Sequence, residues 1–143
     1  MKVNPKFGVD RLLFGMRKKD VAGILGSPDR DFKDDDKNII YIYNGLKLRL
    51  TFYEDEEFRL GYIITSNPEA EILGDKTISR KVAELKTVLK EKGLRAWTEA
   101  QFDISTNHFN EDNWIILEEE FGEVVKIEIG AMIVNDEFEW KFR

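Results

Sequence analysis

The stretch LKLRLTFY, Leu46 to Tyr53, alternates without a break: Leu48, Leu50 and Phe52 fall on one side, Lys47, Arg49 and Thr51 on the other. Successive side chains of an extended chain point opposite ways, so this pattern marks a strand with one buried and one wet face. The flanking sequence agrees. In NIIYIYNG, Ile39, Tyr41 and Tyr43 alternate against Ile40 and Ile42, and Asn44-Gly45 is a two-residue hairpin signal. After the polar turn EDEE, FRLGYIIT returns as a third strand through Leu60, Tyr62 and Ile64.

Upstream, GMRKKDVAGILGSPD (Gly15 to Asp29) places Val21, Ile24 and Leu25 on one helical face. Gly26 is suited to end that helix, and Pro28 prevents its continuation. The segment DRDFKDDDKN (Asp29 to Asn38) carries no apolar period and reads as a loop or hairpin approach. Downstream, SNPEAEILGD is a polar connection. Ser79 can then cap a second helix with Val82, Leu85 and Leu89 as its stripe and Gly93 at its end. LRAWTEAQFDI reads as a weaker strand and TNHFNEDN as a loop. WIILEEE (Trp114 to Glu120), EVVKIEIGAMIV (Glu123 to Val134) and EFEWKFR (Glu137 to Arg143) read as strands.

The order helix, three strands, helix, about four strands implies an internal duplication, with Val21-Ala22 echoed by Val82-Ala83. The expectation is a single domain, 1–143, with one repeat over about 8–66 and a second over about 74–143. Strands with one polar face want a single covering layer. The fold class expected is therefore α+β: a two-layer sandwich, an antiparallel sheet with helices on one face, built from two degenerate α-βββ repeats.

Composition narrows the function classes. The chain has 143 residues with 28 acidic against 22 basic, a formal charge of -6 that disfavours nucleic acid and suits a basic protein partner. With no cysteine, thiolate chemistry, disulfides and Cys-based zinc sites are excluded. The first residues lack an apolar leader and no run approaches membrane-spanning length, so the expected address is cytoplasmic, with no membrane partner.

No catalytic constellation emerges. The glycines around the first helix fit neither dinucleotide nor P-loop spacing. Counting from Asp29 as an EF-hand loop puts Asp34 and Ile40 where glycine and glutamate are required. His108 is the only histidine, and Glu118 and Glu120 share a strand face as any two residues at that spacing do. The expectation is no catalytic residues, no metal and no cofactor. A small-ligand-binding protein or a hydrolase using Glu118, Glu120 or His108 in a cleft between the repeats is the alternative. The aromatic residues are more suggestive, because Tyr and Trp dominate protein-binding surfaces. The candidate partner-binding residues are Tyr41, Tyr43, Trp97, Trp114 and Trp140, with Asp34, Asp35 and Asp36 steering a basic partner. Oligomeric state is left open, a homodimer through Phe138 to Phe142 being one form.

The string GMRKKDVAGILGSPD, with a glycine before the helix and an L-G-x-P exit, resembles the SmpA/OmlA (BamE-like) unit, also found in β-lactamase-inhibitor-like domains and small immunity-type bacterial proteins. The likeness covers residues 14 to 65, and Arg17 stands where the family usually places a capping Ser or Thr. It implies a protein that is not an enzyme and binds another protein across its sheet. The function expected is an immunity or inhibitor type protein that occludes a toxin or enzyme.

Overall fold

The computed structural model describes residues 1–143. Three short strands, β1 (Lys2–Asn4), β2 (Gly8–Val9) and β3 (Leu12–Leu13), precede α1 (Lys18–Leu25). A four-strand meander follows: β4 (Arg30–Lys33), β5 (Ile39–Tyr43), β6 (Leu48–Tyr53) and β7 (Arg59–Thr65). After β8 (Glu71–Ile72) and β9 (Asp75–Lys76), α2 (Val82–Glu91) leads into β10 (Thr98–Phe102), β11 (Ser105–Asn110), β12 (Ile115–Glu120) and β13 (Glu123–Gly130). The hairpin β14 (Ile133–Val134) and β15 (Glu137–Phe138) closes the chain.

The two meanders merge into one eight-stranded antiparallel sheet of order β10-β11-β12-β13-β7-β6-β5-β4. The last strand of each meander meets the other at the centre, pairing Ile127 with Thr65 through Gly130 with Tyr62. One face is covered except at the β10 edge, whose residues are all exposed. Val21 of α1 and Leu85 and Leu89 of α2 join Leu50, Phe52, Ile63, Leu117, Ile127 and Ile129 in a single core. Val3, Val9, Leu12 and Ile72 complete it from a second, five-stranded sheet of order β3-β2-β1-β8-β9.

That architecture corrects the α+β two-layer sandwich of two α-βββ repeats. Strand accounts for 44% of residues and helix for 15%, so the fold is mostly β. Each half contributes four strands rather than three to the main sheet, and part of the covering layer is itself a sheet. The physical reason lies in polar strands. β4 was hidden in the acidic segment DRDFKDDDKN, and β11 runs through the supposed loop TNHFNEDN. The tail EFEWKFR is strand only at Glu137–Phe138, despite its strict alternation. Asn44 and Gly45 belong to a longer turn that ends on Lys47, which takes a left-handed φ of 51° and bonds back to Asn44.

Helix α1 starts without a Ser or Thr cap. Asp20 instead accepts the Arg17 backbone N–H at 3.0 Å, and the Arg17 guanidinium reaches the Glu57 carboxylate at 3.1 Å. Acidic charge in the first turn also suits the helix dipole.

Candidate functional site

The other face of the main sheet carries no helix, and its residues follow from the register. One cross-strand row runs Arg30, Ile42, Arg49, Ile64, Glu128, Ile116 and Phe109. The next runs Phe32, Ile40, Thr51, Tyr62 and Gly130. Directly opposed side chains sit close enough to act as pairs. Ile42, Ile64, Ile116, Phe32 and Phe109 are only half-buried, so an apolar strip stays in contact with water.

Two glycines set the aromatic centre of this face. A Cβ on Gly130 would lie 2.4 Å from Cδ1 of Trp114, and one on Gly61 would lie 2.1 Å from Cε2 of Tyr53. Each ring therefore occupies the space that a side chain on the glycine would fill. Gly61 is the extra residue of a bulge, since Thr51 pairs with Tyr62 and Phe52 with Leu60. Tyr62 stands between the two rings, and its hydroxyl donates to Glu128 at 2.5 Å. Burial first, then that hydrogen bond, holds the Tyr62 phenol far above its ordinary range. Tyr53 is pushed up to about 12, by burial first and then by Asp55. Phe109 meets Trp114 edge-on at 5.1 Å, and Phe138 lies against Tyr53 at 5.6 Å and stacks on Trp140 at 4.8 Å.

Charge on this face is divided. Arg30, Lys47 and Arg49 stand on the first meander, while Glu118, Glu120 and Glu128 stand on the second. Lys126 lies between them, 3.8 Å from Glu118. A groove of about 460 Å³ is lined by Lys47, Arg49, Lys126 and Ser66 over Ile42 and Ile64.

The residues expected to bind a partner are dispersed. Tyr41 and Tyr43 turn to the core, 7% and 5% exposed, and the Tyr43 hydroxyl donates to the Gly26 carbonyl at 2.8 Å. Trp97 packs against the core and donates its indole N–H to the Leu94 carbonyl at 2.8 Å. Trp114 is on the open face, and Trp140 stacks at its rim through Phe138. Asp34 builds the β4–β5 turn, accepting the backbone N–H groups of Asp36 and Asn38 at 2.9 Å each. Asp35 and Asp36 are exposed beside it. Tyr53, Arg49 and Lys126 were not singled out by sequence reasoning, although the strict alternation of LKLRLTFY already put Arg49 on the polar side.

The residues of the alternative enzyme reading do not share a cleft. His108 lies in β11, 2% exposed, facing α2. Lys86 Nζ donates to its Nδ1 at 3.1 Å, which leaves Nε2–H to donate to Glu119 at 2.7 Å. Glu118 faces the opposite side of the sheet, toward Lys126. No group of three or more Asp, Glu or His side chains is placed to hold a metal ion, and no helix is long and apolar enough to cross a membrane.

No protein-family model and no curated protein matches the sequence. Among solved structures, an extracellular protein containing an SCP domain from Bacillus anthracis str. Ames matches with a TM-score of 0.50 at 13% identity. The match covers 80% of this chain and 43% of that one. A cysteine-rich secretory protein from Staphylococcus aureus subsp. aureus Mu50 matches with a TM-score of 0.49 at 12% identity, over 80% of this chain and 42% of that one. What is shared is a fold. The chain spans less than half the length of the structures it matches.

The first match overturns the resemblance to the SmpA/OmlA (BamE-like) and β-lactamase-inhibitor-like repeats. The string that carried it, a helix held between glycines and followed by proline, is punctuation that helices of many folds share. The cytoplasmic address is corrected on the same finding, because the protein that shares the fold is described as extracellular. Lack of cysteine removes disulfides but reports no compartment.

Proposed function

We propose that this chain is a non-enzymatic protein-binding module whose partner docks on the open face of the eight-stranded sheet. The observation that carries the reading is the half-exposed strip of Ile42, Ile64, Ile116, Phe109, Tyr62 and Trp114, held on a sheet whose other face packs against the core. A rigid antiparallel sheet presents such side chains with little conformational entropy left to lose on binding. Aromatic anchors flanked by charges of both signs are what protein interfaces use for affinity and register.

The extracellular SCP-containing protein that shares the fold supports a role outside the cytoplasm, as one unit of a longer chain. An inhibitor that occludes a toxin or enzyme is the finer form of the same reading. Small-ligand binding or hydrolysis draws less support, because His108 and Glu119 are committed to each other beneath α2 while Glu118 lies across the sheet.

The test is capture of a partner by the immobilised domain, with Trp114→Ala and Phe121→Ala as paired variants. Phe121 is 86% exposed at the β12–β13 turn, away from the aromatic centre. Capture that is lost in Trp114→Ala and kept in Phe121→Ala, with amide exchange slowed at Ile64 and Ile116 on binding, supports the reading. Slowing confined to the α2 side overturns it.

A further inference from the structure

We propose that the groove between Lys47, Arg49 and Lys126 receives the carboxylates of an acidic, extended peptide segment. The inference rests on the open face being a protein-binding surface and names the chemistry of what it binds. Lys47, Arg49 and neighbouring Arg30 make no ion pair, as is true of most cations in this chain, but here they are gathered on one face; Lys126 has only Glu118, at 3.8 Å. The two arginines flank Ile42 in one cross-strand row, and both guanidiniums lie over the Phe32 ring, at 4.8 Å and 5.9 Å. Like charges gathered this way repel one another, and an anion laid between them relieves the repulsion.

The shape of the charge selects a peptide over a polyphosphate. The groove floor is apolar, formed by Ile42 and Ile64, and its far side carries Glu128 and Glu118. A uniformly charged nucleic-acid strand would meet those carboxylates as it ran along the sheet. A peptide strand presents side chains to one side at alternate positions, so it can set carboxylates on the cations and apolar side chains on the isoleucines. Arg49 supplies a planar fork that pairs a carboxylate in two hydrogen bonds.

The experiment titrates the intact chain with an end-capped hexapeptide of alternating glutamate and valine, following the methyl resonances of Ile42 and Ile64. The expected result is saturable binding, weakened by salt and reduced about tenfold by Arg49→Gln. The double variant Arg49→Gln/Lys126→Gln should abolish it while keeping the parent's unfolding transition. Equal affinity of parent and double variant overturns the proposal. So does tighter binding of hexalysine, of inorganic phosphate or of oligo(dT) than of the alternating glutamate-valine peptide. Failure here is separable from failure of the open face as a whole. If partner capture survives in the double variant and is lost in Trp114→Ala, the face stands and the groove does not.

Discussion

Gly130 and Gly61 show how one missing methyl group can place an aromatic ring. Trp114 lies over Gly130 from a left-handed backbone, φ 49°, an uncommon conformation for a bulky residue. Gly130→Ala should push the indole away and lower stability by about 1–3 kcal/mol in urea unfolding. Gly45→Ala is the control: nothing lies within 4 Å of its added Cβ, and the change should stay within about 0.5 kcal/mol. A second prediction at this scale concerns alkali. The Tyr43 phenol is pushed up to about 12 by burial first, then by Tyr41 and Asp29, from an ordinary value of 10.0. Below pH 10 both states keep the Tyr43 proton, so this group contributes no slope to stability. Between pH 10 and 12 the unfolded chain ionises first, so stability falls as pH rises. Tyr43→Phe should make that fall shallower, while costing about 1 kcal/mol at neutral pH through the lost bond to Gly26.

Among the elements, β11 is the instructive one. Its core-facing positions hold His108 and Asn110 rather than aliphatic residues, so the chain there reads as a loop although it is paired on both sides. The ring nitrogens of His108 find partners distant in sequence, Lys86 from α2 and Glu119 from β12, whereas the Asn110 side-chain oxygen accepts the backbone N–H of nearby Asn113 at 3.0 Å and its amide nitrogen has no partner. Neither partner of His108 is visible in a short local window. Glu119→Ala should leave the buried imidazole N–H without its acceptor and cost about 1–3 kcal/mol, measured by urea unfolding. Glu118→Ala, on the other face, removes only a pair at 3.8 Å and should cost less than about 1 kcal/mol. The opposite difficulty hid the site. In NIIYIYNG both alternating sets are apolar, so periodicity reveals a strand but not which set turns inward; the tyrosines did. The bulge at Gly61 then shifts the parity of β7 between Leu60 and Tyr62, a change no regular alternation can announce.

For the whole molecule, what was legible was a helix followed by a meander, twice, because amphipathic periods and glycine stops are local signals. How the two meanders join is set by four residue pairs between β7 and β13 that are far apart in the chain, and no short-range pattern encodes it. That seam should be the most stable part of the structure. In native-state hydrogen exchange, amides of Ile63 and Ile129 should open only with global unfolding, while those of β10, an edge strand with every residue exposed, should exchange fastest. Ile129→Ala, at 1% exposure in the seam, should lower the stability of the entire chain in one transition by about 2–5 kcal/mol. Two separate transitions would show instead that the meanders fold as independent units.

The central pairing also has a consequence in time. The ribosome finishes β7 at Thr65, but its partner β13 is complete only at Gly130. At about 5–20 residues per second, the nascent first meander waits roughly 3–13 s with the edge of RLGYIIT unpaired. Synthesis thus exposes, for seconds, the strand that the finished protein protects best. Ribosome stalling between these two points should raise aggregation more than stalling after Gly130.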